Sequence, residues 1–415
     1  MLISVGENGG KPVLKLSTQV AIIGGGIAGL WLLNRLCQAG YDAVLLEKSA
    51  LGSGQTLASQ GIIHGGLKYA LNGVLSPASS AIADMPKRWR ACLNGQGDID
   101  LRGTTLLSPD FYMWSGGSLR SRFKTFLGSK ALQGRIDVVA PDDYPAFFKF
   151  TPNHRLTGTL YQLSDFVIDT PSLISKLARP WQKRILQCPD LQLSSDGIIF
   201  TSTEGRTHLH TDRIVLTAGA GNEALNHQWQ QVTHSTLPAM QRRSLHMVTV
   251  STDHPLPPYL HCIGDDFGMT PELTLTAHPQ QNADQKKWIW YLGGELAESG
   301  VGLQPQTQQQ RALQVLEQRF PWVDLQQAEV KSFMIDRAEP ATADRQRPDS
   351  AYVSESGRVI VCWPTKLTLC PDLGDSVMAS ISESVQASGH VPDASPLHDL
   401  LPQAEVGIAP WSTET

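Results

Sequence analysis

A strand, a glycine-rich turn, a helix and a second strand follow one another between residues 18 and 47, and few folds accept that order. Residues 18–23 are apolar and partly β-branched, the pattern of a buried strand. Gly24, Gly26 and Gly29 then give G-x-G-x-x-G. Over 30–37 apolar residues recur at helical spacing, Gly40 stands where a helix C-cap is wanted, and 43–46 reads as a strand ending in Glu47. The first glycine permits a tight turn, and the second lets backbone approach a pyrophosphate. The third allows close helix–strand packing, with the phosphates at the positive helix N-terminus. Gly24, Gly26, Ile27, Ala28 and Gly29 are therefore the predicted phosphate cradle. Glu47, 18 residues beyond Gly29, is placed to accept hydrogen bonds from an adenosine ribose, with Lys48 beside it. An acid there, rather than an arginine, disfavours a 2′-phosphate, so the pattern predicts a dinucleotide other than NADP.

The rest of the chain offers room for more than this unit. At about 150 residues per domain, 415 residues make two or three domains. Its 34 basic and 39 acidic residues leave a net charge of −5, which argues against a disordered chain or a wholly basic nucleic-acid binder. The six cysteines stand alone with no C-x-x-C, pointing away from a zinc site or disulfide scaffold and towards a reducing, cytoplasmic setting. The apolar run 20–36 is too short and too glycine-rich for a membrane span.

Residues 51–69 read LGSGQTLASQGIIHGGLKY, a loop in which Gly54, Thr56, Ser59, Gly61, Ile62 and His64 can approach a ligand closely. Here the chain resembles the FAD-dependent oxidoreductases of the D-amino-acid-oxidase (DAO) type. The glycerol-3-phosphate dehydrogenase and L-2-hydroxyglutarate oxidase branches are nearest, because they carry an Ile-His-Gly/Ala-Gly segment beside the isoalloxazine ring. Three further stretches are similar to family segments. The first is Asp165-Phe-Val-Ile-Asp169-Thr170-Pro171, ahead of a helical pattern at Leu173, Ile174 and Leu177. The second is the strand from Arg213 into Ala218-Gly219-Ala-Gly221, and the third runs from Arg358 through Lys366-Leu367-Thr368 into Pro371-Asp372-Leu373-Gly374-Asp375.

The resemblance spans 18–388 and implies FAD as cofactor. It also implies an α/β fold: a discontinuous, Rossmann-like FAD-binding domain of glutathione-reductase type, with a second α+β substrate domain on a mixed or antiparallel sheet. The expected division gives 1–84, 155–225 and 330–395 to the FAD domain and 85–154 and 226–329 to the substrate domain. Residues 396–415 are expected as a surface tail. Leu33 replaces a usual alanine, Ala58-Ser59 replaces a usual Arg/Asn, and Arg337-Ala338-Glu339-Pro340 replaces the common Gly-x-Arg-Pro. Those departures bear on the substrate more than on the cofactor.

Hydride arriving at flavin N5 leaves negative charge near N1 and the C2 carbonyl, so that edge wants a cation or a helix N-terminus. A helix after Pro371, N-capped by Asp372 or Asp375, can supply the latter. Lys366 adds a full charge, or is a solvated lysine at a strand end. His64 is the candidate base, since an alcohol must lose its hydroxyl proton as hydride leaves; the alternative is flavin contact only. Substrates of the resembled family are usually anions, and Arg337 is the candidate to bind a carboxylate, or else pairs with Asp336 or Glu339. His246 reads as structural. His208 and His210 share one strand face without an apparent third ligand, so they read as a solvated edge strand, and no metal site is assigned.

Between 85 and 135 nine basic residues (Lys87, Arg88, Arg90, Arg102, Arg120, Arg122, Lys124, Lys130, Arg135) meet only Asp98, Asp100 and Asp110, a local +6. Interleaved with Tyr112 and Trp114, this is a solvated face, or a contact for tRNA or for an anionic membrane, which would place the protein peripherally on the inner membrane face. The function expected is FAD-dependent oxidation of a small anionic CH–OH substrate, a 2-hydroxy acid or glycerol-phosphate-like molecule. The alternatives are oxidation of an amino acid or secondary amine, a flavin step on modified tRNA, and an FAD-binding regulatory protein without turnover.

Overall fold

The strand expected over 18–23 runs much further back, as Lys11–Ile23. It pairs in parallel with Ala43–Glu47 on one side and Gly205–Leu216 on the other. Val20, Ala21 and Ile22 have no accessible surface, the continuous apolar run of a parallel strand covered on both faces. The structure, a computed structural model, describes residues 4–8, 11–66, 77–115, 136–149, 158–264, 270–280, 287–344, 348 and 350–412. The helix Ile27–Gln38 follows the glycine turn and buries Leu30, Trp31, Leu32, Leu33 and Leu36, each leucine worth about 1.5–3 kcal/mol on burial. Asn34 sits among them with its amide spent on Leu30 O (2.9 Å) and Leu177 O (2.8 Å). The helix stops at Ala39, and Gly40 takes the left-handed turn (φ 83°) after it.

Among the described residues nine strands form the first sheet, with Ile185–Gln187, Ala43–Glu47, Lys11–Ile23 and Gly205–Leu216 as parallel neighbours. Val359–Trp363 adds to Gly205–Leu216, again in parallel. Gly205–Leu216 is therefore central, not an edge. The expectation of an edge strand at His208 and His210 fails because these residues pair on one side with Lys15 and Ser17 and on the other with Ile199 and Gly197; both histidines instead face Asp196, at 3.1 and 3.6 Å. Helices Thr170–Ala178 and Cys370–Ser382 share a core with the first helix through Leu173, Ile174, Leu177, Leu373, Val377 and Ile381. Neither Asp372 nor Asp375 caps the latter. Its N-cap is Leu369, and Asp375 is drawn off by Arg35 (3.0 Å) and Arg88 (2.7 Å).

A second sheet of eight strands runs Glu329–Pro340, Met240–Thr252, Trp288–Gly293, Leu273–Pro279, Leu260–Ile263, Phe111–Ser115, Thr159–Leu163, Ile136–Val138. Glu329–Pro340 and Thr159–Leu163 thus lie in this second sheet, although the sequence places 330–395 and 155–225 with the FAD domain. The reason is pairing: Glu329–Pro340 is in register with Met240–Thr252 from Ser251↔Glu329 to Met240↔Pro340. One face of this sheet carries Val248, Leu275, Trp290 and Leu292 against Ala312 and Leu316 of the helix Pro305–Arg319. The opposite face turns to the nucleotide side. There the Tyr291 hydroxyl donates to Ala58 O (2.8 Å), and Gln60 Nε2 donates to Tyr291 O (2.8 Å) and Thr274 O (3.1 Å).

The expected surface tail is the clearest correction. Leu51 N donates to Glu405 O (2.8 Å), Gly407 N to Leu51 O (2.9 Å), and Gln187 N to Pro402 O (2.7 Å). The chain then crosses to the second sheet, where the Trp411 ring lies 3.8 Å from that of His278, with only 8% of the tryptophan accessible. Residues 402–411 are a strap tying one layer to the other. Proline- and serine-rich composition does not exclude burial when backbone amides find partners.

Of the basic stretch, Arg120, Arg122, Lys124, Lys130 and Arg135 lie outside the described residues. Lys87 is exposed. Arg88 is held by Asp98 (2.5 Å) and Asp375, Arg90 covers the Phe166 ring at 4.3 Å, and Arg102 pairs with Asp100 (2.7 Å). Trp114 packs among Phe148, Phe320 and Trp322, so it serves the core of the second sheet. Among the described residues no helix is long and apolar enough to cross a membrane. All six cysteines are free and buried, and burial pushes thiols such as Cys37 and Cys362 up to about 12, which makes them poor nucleophiles.

Candidate active site

The glycine turn is built by contact. A Cβ on Gly24 (φ 110°) would lie 2.5 Å from Ala218 Cα, and one on Gly29 would lie 2.0 Å from Gly24 O. Only glycine lets the first helix come this close to the strand end at Ala218-Gly219. Thr217 Oγ1 closes the same corner by donating to Gly24 O (2.8 Å). Ile27 N donates to Thr56 Oγ1 (3.1 Å), while the helix start has neither a side-chain cap on Gly26 nor an acid in its first turn. That leaves a positive helix end with Thr56 beside it, and in the same loop a Cβ on Gly54 would meet nothing within 4 Å. Glu47 accepts from Gly25 N (2.6 Å) and Ser49 N (2.9 Å), and Lys48 beside it is exposed. An acid at the strand end, an open glycine-lined floor and an uncapped helix start suit the ribose and pyrophosphate of a dinucleotide.

Ser59 turns its hydroxyl back to Thr56 O (2.8 Å), and beyond Gly61 the short strand Ile62–Ile63 pairs with Phe166–Ile168. Its register sets Ile63 opposite Phe166, so the next residues outward, His64 and Asp165, face each other. His64 Nδ1 lies 3.2 Å from Asp165 Oδ2. Asp165 is buried, and its other oxygen accepts from Gly65 N (2.7 Å). The His64 side chain keeps 35% of its surface accessible. Its backbone N–H donates to the buried hydroxyl of Thr368 (2.8 Å), whose carbonyl accepts from Trp89 Nε1 (2.9 Å). Of the 61–69 segment, Leu67, Lys68 and Tyr69 lie outside the described residues.

Lys366-Leu367-Thr368 reaches His64 through a strained corner. Thr365 has φ 59°, an unusual conformation for a β-branched residue, and Lys366 N donates to Pro364 O (2.6 Å). Lys366 then sits at the N-cap position of the turn Leu367–Leu369, which leads into the helix Cys370–Ser382.

His261 was not singled out by the sequence. Its ring is parallel to that of His64 within 7° at 6.0 Å between centroids, its Nδ1 bonds Thr274 Oγ1 (2.9 Å), and the Phe111 ring stands edge-on to it at 4.8 Å. Burial, followed by the nearby His64, pushes its pKa down to about 3, so it is neutral in ordinary buffers. Asp165 was visible only as the start of a family-like segment. Nothing in the sequence joins it to a histidine 101 residues away.

Arg337 is not brought to His64. Three strands stand between its own strand and the strand of His261, and its guanidinium is taken by Glu298 (3.1 Å). Neither Asp336 nor Glu339 is that partner. Glu339, which fills the place of the arginine in Gly-x-Arg-Pro, is fully buried and bound by Arg243 at 2.8 and 2.9 Å. Arg243 with Glu339 and Arg337 with Glu298 thus form two ion pairs. His246, as expected, is structural, with Nδ1 on Gly300 O (3.0 Å) and Nε2 on Ser332 Oγ (3.1 Å).

A dinucleotide cradle beside a second, largely antiparallel sheet is the arrangement of a flavin oxidoreductase of the DAO class, and the chain belongs to that family of FAD-dependent oxidoreductases, which it matches over residues 19–338. It is 44% identical over 379 residues to the probable FAD-dependent oxidoreductase PA4991 of Pseudomonas aeruginosa, covering 90% of this chain and 94% of that one. The crystal structure of that relative superposes with a TM-score of 0.79 at 38% identity, covering 96% and 98% of the two chains. More distant structures share the fold alone. Glycine oxidase from Geobacillus kaustophilus has a TM-score of 0.60 at 17% identity, covering 92% of this chain and 98% of that one. FAD-bound L-α-glycerophosphate oxidase from Mycoplasma pneumoniae has a TM-score of 0.61 at 13%, covering 91% and 99%. FAD is the cofactor, and the cradle fits it.

Proposed function

We propose that this FAD-dependent oxidoreductase oxidises a small anionic alcohol, a 2-hydroxy acid or a glycerol-phosphate-like donor, with His64 as the base. The observation that carries the proposal is the buried Asp165 on Nδ1 of His64. A carboxylate held there favours the tautomer with the proton on Nδ1 and leaves the lone pair of Nε2 to take a proton. An amine donor is oxidised from its neutral form and needs no such group at the reacting carbon. An alcohol does: its C–H hydrogen departs with two electrons, its O–H proton must go elsewhere, and a carbonyl is left. FAD, when bound, supplies the acceptor for that hydride. Gly24, Gly26, Ile27, Ala28 and Gly29 would hold its pyrophosphate and Glu47 its ribose. Gly54, Thr56, Ser59, Gly61, Ile62, Ala218 and Gly219 would line its length, with Lys366, Leu367 and Thr368 beside the ring. Lys366 and the start of the Cys370–Ser382 helix would set positive potential at the ring edge that gains charge.

The deciding experiment is anaerobic mixing of the purified yellow protein with hydroxy acids, glycerol phosphates, amino acids and secondary amines. Flavin bleaching by the alcohols alone is the expected result, and bleaching by amines alone sinks the proposal. His64→Asn should slow reduction by about 10²–10⁴-fold, with the FAD content unchanged.

A further inference from the structure

The side chains of His64, Asp165 and His261 arrive from three separate segments, yet one ligand atom of each lies within 4.8 Å of the other two. We propose that this cluster is a binding site for a divalent transition-metal ion of the zinc class, and that the ion shuts the active site down. Zinc holds imidazole nitrogen at about 2.0–2.1 Å and carboxylate oxygen at about 2.0–2.2 Å, so adjacent ligand atoms of its tetrahedron stand about 3.4 Å apart. His64 Nδ1 and Asp165 Oδ2 are already 3.2 Å apart. His261 has at most about 1.4 Å to travel to complete a three-ligand face. The His64 side chain keeps 35% of its surface accessible while Asp165 is buried, so an ion can enter from the His64 side.

The supporting contacts resemble those around a metal. Gly65 N fixes the far oxygen of Asp165 (2.7 Å), Thr368 Oγ1 fixes the backbone of His64 (2.8 Å), and Thr274 Oγ1 holds the His261 ring (2.9 Å). Two imidazoles and one carboxylate select zinc, copper or nickel over magnesium or calcium. An ion inserted between Asp165 and His64 binds Nδ1, and the single proton of the neutral ring then resides on Nε2. That nitrogen can no longer receive the proton of an alcohol. Binding of the ion is independent of the proposed reaction, whereas its effect on turnover rests on His64 being the base.

Dialysis of the FAD-loaded protein against zinc chloride, followed by metal analysis, tests the site. One zinc per FAD should be retained, with none gained from magnesium chloride. Donor-driven flavin reduction should slow at least ten-fold and recover with a chelator. His261→Gln should weaken zinc retention at least ten-fold while preserving the FAD spectrum, and Asp165→Asn serves if that variant does not fold. Absence of retained zinc, or retention equal in the variants, overturns the proposal. Stoichiometric zinc without slowed reduction upholds the site and counts instead against His64 as the base.

Discussion

The residue that most repays attention is Asp165, because it gives His64 a direction. Replacing it by asparagine keeps the shape but removes the charge that favours the Nδ1 proton. Asp165→Asn should therefore cut the rate of flavin reduction by at least about 10²-fold, with FAD binding retained, as stopped-flow absorbance would show. His64 was legible in the sequence because its neighbours Ile62, Ile63, Gly65 and Gly66 form a local pattern. Asp165 and His261 were not, since their relation to it is made by strand register and sheet-to-sheet packing. Arg337 misled for the same reason: a nearby proline turn says nothing of which acid will be folded against it.

Elements with a strong local period were read well. The βαβ unit lies where apolar spacing and the glycines placed it, with its helix over Ile27–Gln38 and its second strand over Ala43–Glu47. Elements completed by distant partners were not. The strap over 402–411 has no period of its own, and its order comes from the Leu51 and Ile185–Gln187 backbones and from His278. Trp411→Ala should cost about 3–5 kcal/mol, the range for losing a buried tryptophan side chain. A urea midpoint within experimental error of the parent would refute that account of the strap.

For the whole molecule, acid is the weakness. His278 is fully buried under Trp411, and burial pushes its pKa down to about 3, against roughly 6.5 for a free histidine. As pH falls from about 6.5 towards 3 the unfolded chain takes up a proton that the folded chain refuses, so stability declines across that window. Above it this group contributes no slope. His278→Leu should flatten the decline of the melting temperature between pH 6.5 and 4; an unchanged slope would place the acid sensitivity elsewhere. The strap has a last consequence, and it concerns manufacture. Gly24 leaves the ribosome 387 residues (411 − 24) before Trp411, and the parallel sheet behind the cradle also waits for Val359–Trp363. A nascent chain therefore carries its phosphate loop, braced at first only by neighbours such as Glu47 and Thr56, long before the strap arrives. Until residues 402–411 have emerged, the Leu51 backbone that they bridge has no partner from that side.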